Sequence, residues 1–459
     1  MTAPLWTISE VIGATGGICR GRMEAAITGV SIDTRTLEEG DLFIAIKGEN
    51  QDGHKYAEMA LERGAAAVIV EEIFEGQNPR YIRVPDTLRA MEALGRAARA
   101  RTHAKIIAVT GSVGKTGTKE MLRLALSACG RTHAAEKSYN NHWGVPLTLA
   151  RMPQDTEYGV FEIGMNHPGE ITPLTKMVRP HVAIVTAIAP VHIGYLGSLE
   201  AIAHAKAEIF DGIEPDGIAI LNANAPHLDI LEAAATKRGA AIRHFGASGA
   251  FASASNGNAL IGEKSVPLTI GAPGTHHVSN ALAVLTACDA AGVDLAKAAG
   301  QLARFQAPAG RGAAETITTP DGGIILIDES YNANPASVGA AITVLAQSGA
   351  PDARRIAVLG DMLELGEQSE TMHAALAEPL QAAGIDLVFT CGPHMARLRD
   401  ALPESMRGVY GETSDDLHEP LLAEVAPGDV VMIQGSLGSR MGPIVAALRS
   451  HLSGHTTTE

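Results

Sequence analysis

A chain of 459 residues is too long for one ordinary hydrophobic core and predicts about three domains. Its formal net charge of −15, with no run of basic residues, argues against nucleic acid as a partner. No apolar run approaches the roughly 18 residues that span a bilayer, and the start of the chain lacks a secretory signal pattern. We therefore expect a cytoplasmic protein without membrane insertion.

The first segment alternates short apolar runs with polar, glycine-containing turns. Three runs have the character of β-strands, namely DLFIAIKG (41–48), AAAVIVEE (65–72) and RYIRVPD (80–86). Together they predict a small α/β domain, which we place at residues 1–85.

From residue 105 onward, apolar strands alternate with helical patterns, which is typical of a mostly parallel, doubly wound sheet. A glycine-, alanine- and serine-rich stretch at 246–262 predicts a pair of strands, and residues 276–292 predict a long helix. We place this central domain at residues 86–310. Its expected strands are KIIAVTG (105–111), YGVFEIG (158–164), HVAIVTAI (181–188) and GIAILNAN (217–224).

A proline- and glycine-containing joint, QAPAGRG (306–312), separates this domain from a second α/β region. A helical pattern follows each strand there, so we predict a Rossmann-like domain at 311–459 and an α/β protein of three domains overall. The expected strands are GGIILID (322–328), RRIAVLGD (354–361), DLVFTCG (386–392) and DVVMIQG (429–435).

The stretch VTGSVGKTGTKEMLRLAL (109–126) joins an apolar strand to a helical pattern through a glycine-containing loop. In that position backbone N–H groups and the helix dipole converge on an anion, a lysine adds charge, and a threonine hydroxyl can reach Mg²⁺. The loop predicts a nucleoside triphosphate site. It departs from the full Walker pattern because Val109 stands where the first glycine is expected, and the alternative is a simple glycine turn followed by a surface lysine. The loop residues are Gly111, Ser112, Gly114, Lys115 and Thr116.

Glu162 ends the apolar run YGVFEIG, where an unpaired carboxylate is costly to bury. A cation beside it removes that cost, and ligands collect at the ends of parallel strands, so Glu162 is a candidate Mg²⁺ ligand. The alternative is a strand-end glutamate that faces solvent.

Lys206 falls in the middle of an apolar stripe on a helix that begins after a Ser198 N-cap. Either its side chain reaches the surface, or it is buried as a neutral amine that can react with CO₂ to form a carbamate, a carboxylate-like metal ligand. His192 lies in the loop before this helix, and we predict that it meets Glu162 and Lys206 in a metal or phosphate site.

An ordered set of motifs, together with the loop, resembles the Mur ligases over nearly the whole chain. The shortened phosphate loop is the form that this family uses. The motifs are SIDTRTLEEGDLFIAIKGENQDGHKY, TGSVGKTGTKE, YNNHWGVPLTL, FEIGMNHPGEI, HIGYLGSLEAIAHAKAEIF, PAGRG, DESYNANPAS, GDMLELGEQSETMH and GSLGSRM.

The resemblance implies an N-terminal domain for the UDP end of one substrate, a central domain for ATP, and a C-terminal domain for the incoming amino component. It implies two Mg²⁺ ions, with Thr116 at one and with Glu162, His192 and a carbamate on Lys206 at the other. It also implies roles at ATP for Asn280, Arg311 and Asp328, and at the nucleotide-sugar substrate or reaction centre for Ser31, Asp33, Arg35, Asn140, Asn141, Asn332 and Asn334.

Among Mur ligases, the motifs DMLELGEQSETMH and SYNANP favour the members that join D-Ala-D-Ala to UDP-N-acetylmuramoyl-tripeptide through an acyl phosphate. The DNPR signature of diaminopimelate-adding relatives is absent from the sequence. Three alternatives stay open: a relative that adds the third residue, folylpolyglutamate synthetase, and a nucleotide-binding regulator that has lost catalysis. With no sustained heptad, we expect a monomer.

The sequence also departs from the usual family pattern. The expected His-Asn pair before the helix at 276–292 is His276-His277, and Gln434 and Leu437 replace basic residues around GSxGSRM. His142 and Trp143 stand where Glu and an aliphatic residue are common. These differences concern the adenine and C-terminal contacts, and the phosphate loop keeps its pattern.

Overall fold

A computed structural model describes residues 4–20, 25–48, 51–191, 193–247, 250–319 and 322–452. The chain forms three larger sheets of five, nine and six strands in sequence order, with helices packed on their faces. We call the regions around these sheets the N-terminal, central and C-terminal units. In the part of the chain described, no helix is long and apolar enough to cross a bilayer.

The N-terminal unit has a five-stranded sheet and a separate antiparallel pair. Its elements are β1 (Trp6–Thr7), α1 (Ile8–Thr15), β2 (Ile18–Cys19), β3 (Ala26–Ile27), β4 (Gly29–Ser31), β5 (Asp41–Ile44), α2 (Ala57–Glu62), β6 (Ala67–Glu71), β7 (Tyr81–Val84) and α3 (Thr87–Arg101). The sheet order is β2-β7-β6-β5-β4, and all pairs except β2 with β7 are parallel.

The central unit places the phosphate loop at the middle of its sheet. Its elements are β8 (Lys105–Thr110), α4 (Lys115–Ser127), β9 (Thr132–Ala134), α5 (Gly144–Ala150), β10 (Tyr158–Glu162), α6 (Ile171–Val178), β11 (Val182–Val185), α7 (Ile193–Leu196), α8 (Leu199–Ala207), β12 (Ile218–Asn222), α9 (Leu228–Lys237), β13 (Ala241–Phe245), β14 (Ala252–Ser255), β15 (Asn258–Ile261), β16 (Lys264–Pro267), α10 (Thr275–Ala290) and α11 (Leu295–Leu302). The order is β16-β15-β14-β13-β12-β11-β8-β10-β9, parallel from β9 to β14.

The C-terminal unit is a six-stranded sheet in the order β17-β18-β22-β19-β20-β21, parallel except at the β17 edge. Its elements are β17 (Ala313–Thr319), β18 (Gly322–Glu329), α12 (Pro335–Gln347), β19 (Arg355–Gly360), α13 (Ser369–Ala374), α14 (Ala377–Ala382), β20 (Leu387–Cys391), α15 (Met395–Ala401), β21 (Arg407–Gly411), α16 (His418–Glu424), β22 (Val430–Gln434) and α17 (Gly442–Leu452).

The structure confirms the strands predicted from apolar runs, the strand pair in 246–262 and the helix within 276–292. Several strands carry no apolar run that predicts them, among them β17 and β21. In β17 the side chain of Ile317 is buried, whereas Glu315 and Thr316 are exposed. Such an edge strand carries too little apolar sequence to be distinguished from a loop.

One buried arginine ties the N-terminal unit to the central unit. Arg99 of α3 donates from Nε to the Val178 carbonyl at 2.8 Å and from Nη2 to the Arg179 carbonyl at 2.8 Å. The same Nη2 lies 3.3 Å from Glu214 Oε1. Since these acceptors end α6 and precede β12, Arg99 joins α3 to the base of the central sheet.

We predict that Arg99→Ala lowers the free energy of unfolding by about 2–4 kcal/mol, because buried acceptors lose their donor and Glu214 loses a partner. Urea unfolding measures the change. Arg89→Ala on the same helix is the control, since the Arg89 side chain is exposed and its pairing with Asp86 spans 3.9 Å. Equal decreases in the free energy of unfolding for Arg99→Ala and Arg89→Ala would contradict the role of Arg99 in joining the two units.

Candidate functional site

The phosphate loop requires glycine at two positions for steric reasons. Gly111 has φ +148°, and a Cβ there would lie 2.0 Å from Thr186 Oγ1. Gly114 has φ +84°, and a Cβ there would lie 2.8 Å from Asn280 Oδ1. The backbone therefore passes against β11 and α10 with no room for a side chain, and it delivers the N-terminus of α4 to the cleft.

Hydrogen bonds across the sheet hold the loop in this shape. Ser112 Oγ donates to the Ala189 carbonyl at 2.9 Å and accepts from the Ala189 N–H at 3.0 Å. Thr186 Oγ1 donates to the Val113 carbonyl at 2.5 Å. Hydrogen bonds within the protein thus fix the shape in which the loop can present its N–H groups to an anion.

Lys115 lies half-buried at the start of α4. Its Nζ donates to the carbonyls of Gly111 at 2.7 Å and Ser112 at 3.3 Å. Burial lowers the pKa of Lys115 to about 8, with Glu162 opposing the shift and Arg311 adding to it. Because carbonyls are its main partners, the ammonium group can exchange them for phosphate oxygens.

A group of hard oxygen ligands lies beside the lysine. Thr116 Oγ1 donates to Glu162 Oε2 at 3.0 Å, and Asn140 Nδ2 donates to Glu162 Oε1 at 2.7 Å. Ser138 Oγ lies 3.3 Å from Thr116 Oγ1. Glu162 is only 1% exposed, so the interpretation in which it faces solvent is wrong. A hydroxyl next to a buried carboxylate fits Mg²⁺, which takes few protein ligands and shares phosphate oxygens.

Lys206 lies on α8 and is 2% exposed, which excludes the interpretation in which it reaches the surface. Burial, and secondarily the charge of Lys115, hold the pKa of Lys206 well below its usual range. The closed environment of this side chain therefore favours the neutral form of the amine. His192, the remaining member of the predicted metal site, lies outside the described residues, and those described include no cluster of three His, Cys, Asp or Glu side chains arranged for a metal.

A cleft of about 570 Å³ separates the phosphate loop from the C-terminal unit. Arg311 crosses it, with its guanidinium carbon 4.2 Å from the centre of the Tyr331 ring and its Nη2 3.5 Å from Ser138 Oγ. Of the predicted residues, the cleft brings together Ser112, Gly114, Lys115, Thr116, Asn140, Glu162, Asn280, Arg311, Asn332 and Asn334.

Asp328, predicted at ATP, does not line this cleft. Its Oδ1 accepts from the Ser330 N–H and hydroxyl at 3.1 and 2.6 Å, and its Oδ2 lies 3.3 Å from Arg449 Nη2. The next residue, Glu329, lines the cleft instead. Side chains alternate along a strand, so two adjacent acidic residues at the end of β18 serve opposite sides.

The residues predicted for the nucleotide-sugar substrate lie in two parts of the structure, with Ser31, Asp33 and Arg35 in the N-terminal unit and Asn140 and Asn141 just before α5. Ser31 ends β4, and its Oγ accepts from the Asp33 N–H at 3.2 Å. Arg35 Nη2 lies 2.7 Å from Asp33 Oδ2, and the hydrogen bonds from Arg35 lower the pKa of Asp33. Asn141 is outside the cleft lining and accepts at Oδ1 from the Gly144 N–H at 2.9 Å, at the start of α5.

Two asparagines from the SYNANP motif form the C-terminal wall of the cleft. Asn334 caps α12 by accepting from the Ser337 N–H at 3.0 Å. Asn332 uses Oδ1 to accept from the Ala333 N–H at 2.9 Å. Gln434 is fully buried behind this wall and donates to Ser337 Oγ at 3.2 Å, whereas Leu437 is 66% exposed.

His277, one of the departures from the family pattern, also lines the cleft beside His276. It is 5% exposed, its Nδ1 has no hydrogen-bond partner, and burial lowers its pKa to about 3. Sequence reasoning flagged His277 only as an unusual residue. It missed Ser138, Glu329 and Tyr331, since their positions in the cleft depend on how the two units meet.

A rigid phosphate loop that faces a second α/β unit across a cleft defines a nucleotide-dependent enzyme. Family models match three regions: the Mur ligase family catalytic domain at 26–102, the Mur ligase middle domain at 109–288, and the Mur ligase glutamate ligase domain at 314–437. The chain belongs to the Mur ligase family.

The relatives are similar over nearly their whole length. UDP-N-acetylmuramoyl-tripeptide–D-alanyl-D-alanine ligase of Bacillus subtilis is 36% identical, covering 93% of this chain and 94% of the relative. The Escherichia coli ligase of the same name is 34% identical, with 97% and 98% covered. A crystal structure of MurF from Acinetobacter baumannii has a TM-score of 0.84 at 29% identity, with 97% and 99% covered.

The Glu329 carboxyl is expected to make the free energy of unfolding depend on pH. Burial, followed by the charge of Asp328, raises the pKa of Glu329 to about 8, while Arg311 opposes the shift. A carboxyl group whose pKa is raised by folding stabilises the native state at low pH, and this contribution is lost as the pH rises towards 8. We predict that Glu329→Gln matches the wild type in unfolding free energy near pH 4.5 but is more stable at pH 8.

Urea unfolding at several pH values measures this difference. Glu378→Gln, at an exposed position in α14, is the control and should keep the wild-type pH dependence. A constant difference between Glu329→Gln and the wild type across the range would show that the Glu329 carboxyl does not titrate there.

Proposed function

We propose that this enzyme joins D-Ala-D-Ala to UDP-N-acetylmuramoyl-tripeptide with hydrolysis of ATP to ADP and phosphate, in the cytoplasmic synthesis of peptidoglycan precursors. The relatives that match along the whole chain carry the name of this ligase. The observation that carries the proposal is the cleft itself, in which Lys115, Thr116 and Glu162 face Arg311, Asn332 and Asn334.

The first step activates a carboxylate, which is a poor acyl donor. A terminal carboxylate oxygen of the UDP-linked tripeptide attacks the γ-phosphorus of ATP, the bond from that phosphorus to the bridging oxygen breaks, and ADP leaves with the electron pair. Lys115, Arg311 and the loop N–H groups offset the repulsion between these anions and stabilise the charge on the phosphoryl oxygens.

Magnesium would be held by Thr116 and, directly or through water, by Glu162. When bound, it neutralises charge on the transferring phosphoryl group. A second Mg²⁺ would be held by Glu162, His192 and a carbamate on Lys206, which would form when the neutral amine attacks CO₂ and loses a proton.

The second step forms the amide. The free amine of D-Ala-D-Ala attacks the carbonyl carbon of the acyl phosphate, and the tetrahedral intermediate collapses with release of phosphate and a proton. Asn332 and Asn334 lie on the wall from which the dipeptide approaches. Because the cleft is bounded by two units, closure excludes water that would hydrolyse the acyl phosphate.

We assign the substrates to domains as the sequence predicts, with the UDP end at 1–85, ATP at 86–310 and the dipeptide at 311–459. Ser31, Asp33 and Arg35 then meet the nucleotide sugar with Asn140 and Asn141. Gly111, Gly114 and Asn280 belong to the ATP site, where Glu329, rather than Asp328, faces the nucleotide. The working form is a monomer.

We predict that phosphate release from ATP with UDP-N-acetylmuramoyl-tripeptide depends on D-Ala-D-Ala, and that the product gains the mass of the dipeptide. Lys115→Ala lowers kcat by about 100-fold or more, because it removes a charge that acts on the transition state. Coupled phosphate assays and mass spectrometry measure both effects.

Lys237→Ala, at an exposed position in α9, is the control for loss of a lysine charge and should retain full activity. Binding of ATP with no dipeptide-dependent product would contradict the proposed function. It would favour a nucleotide-binding regulator, whereas product formation with a free amino acid or with folate and glutamate would identify one of the related ligases.

Lys206→Met tests the carbamate. Methionine keeps the apolar shape of the side chain without a buried amine, so we expect unchanged or higher thermal stability and a 10- to 100-fold or greater loss of kcat. With ¹³C-labelled bicarbonate, a carbamate signal should appear by NMR in the wild type and be missing in Lys206→Met. Absence of this signal from the wild-type protein would show that Lys206 is not carbamylated.

A further inference from the structure

A close contact between two glycines joins the central and C-terminal units outside the cleft. Gly194 lies in α7, and its N–H donates to the Glu364 carbonyl at 2.9 Å. A Cβ on Gly194 would lie 2.8 Å from the Gly366 nitrogen, and a Cβ on Gly366 would lie 2.9 Å from Gly194 Cα. Since these neighbours are backbone atoms, neither position has room for a side chain.

The C-terminal partner in this contact is the segment 361–368, which we call the docking loop. Asp361 Oδ1 accepts from the Met395 N–H at 2.9 Å at the start of α15. Ser436 Oγ accepts from the Leu363 N–H at 2.9 Å. The loop is therefore attached to the start of α15 and to the segment after β22, both in the C-terminal unit.

A buried histidine adds a third attachment. His373 Nε2 accepts from the Met362 N–H at 2.9 Å, and its Nδ1–H donates to the Ser369 carbonyl at 2.6 Å. Burial lowers the pKa of His373, which keeps the ring neutral and able to accept. These bonds account for Asp361 and His373 in the motif DMLELGEQSETMH, which the catalytic cleft does not use.

On the central side, the contact lies close in the chain to helix α8, which carries Lys206 of the proposed metal site. The apolar side chains Ile193 and Leu196 of α7 belong to one continuous buried cluster with Met362 and Leu365 of the docking loop. Helix α8, which carries Lys206, begins three residues after α7 ends. The docking loop thus rests on the segment that enters this helix.

We propose that Gly194 and Gly366 are positioning residues that fix the C-terminal unit over the phosphate loop, so that the amine of the dipeptide reaches the acyl phosphate. The inference rests on the proposed function for the identity of the amine. Neither glycine lines the cleft, where Arg311 and Ser138 make a separate link between the two units. The glycine contact therefore acts through geometry and not through contact with substrate.

Gly194→Ala and Gly366→Ala introduce a methyl group where only glycine fits. We expect each to raise the KM for D-Ala-D-Ala about tenfold and to lower kcat, because small displacements of reacting groups have large kinetic effects. The KM for UDP-N-acetylmuramoyl-tripeptide should remain unchanged, since that substrate is assigned to the other two units. Small-angle X-ray scattering should show a larger radius of gyration.

Two matched controls separate the contact from ordinary glycine effects. Gly300 is helical like Gly194, and Gly384 has φ +65° like Gly366 with φ +59°, but a Cβ at either control position meets nothing within 4 Å. Gly300→Ala and Gly384→Ala should keep wild-type kinetics and scattering. Thermal unfolding shows whether each variant is folded, and Gly194→Ala is favoured by helix propensity.

Unchanged scattering and unchanged KM for D-Ala-D-Ala in folded Gly194→Ala would overturn the inference. So would equal losses in the contact variants and their controls. If the wild type forms no dipeptide-dependent product, the proposed function fails, and the scattering comparison still decides whether this contact holds the two units together.

Discussion

Burial of charge at the carboxyl edge of the central sheet is the constraint on which the rest of the site depends. Glu162 is buried and Lys115 is half-buried, and each charge is tolerated because the other and a set of hydroxyls, amides and carbonyls lie close to it. The same arrangement gives the polar groups of Lys115, Thr116 and Glu162 hydrogen-bond partners within the protein. A ligand that brings phosphate oxygens and a divalent cation replaces these internal partners with stronger ones. The interactions that Lys115 and Glu162 gain in this way contribute to the free energy of ligand binding.

The conformation of the phosphate loop depends on the elements that pack against it. Gly111 and Gly114 lie against Thr186 and Asn280, which belong to neighbouring elements rather than to the loop. The phosphate site is therefore set by the packing of β8, β11 and α10, and the C-terminal unit supplies the opposite wall. The phosphate loop and the opposite wall of the cleft thus come from different α/β units, so neither unit forms the cleft alone.

Much of the fold could be predicted from the sequence because its inner strands are short continuous apolar runs, as in residues 105–110 and 430–434. The phosphate loop and the unusual position of Lys206 were also visible as local patterns. The sequence could not show whether Lys206 is buried. A lysine in an apolar stripe either extends to the surface or is enclosed by the protein, and tertiary packing decides between the two. The choice between Asp328 and Glu329 likewise depends on strand register, and the glycine pair at 194 and 366 depends on contact between distant segments.

Asp328 and Glu329 are adjacent in the chain, yet their side chains enter different cavities, and the charge of Asp328 helps to raise the pKa of Glu329. A cation beside Asp328 would weaken this repulsion and so favour the ionised form of the Glu329 carboxyl. Two separate cavities are in this way electrically coupled through a single peptide unit, without any movement of the backbone.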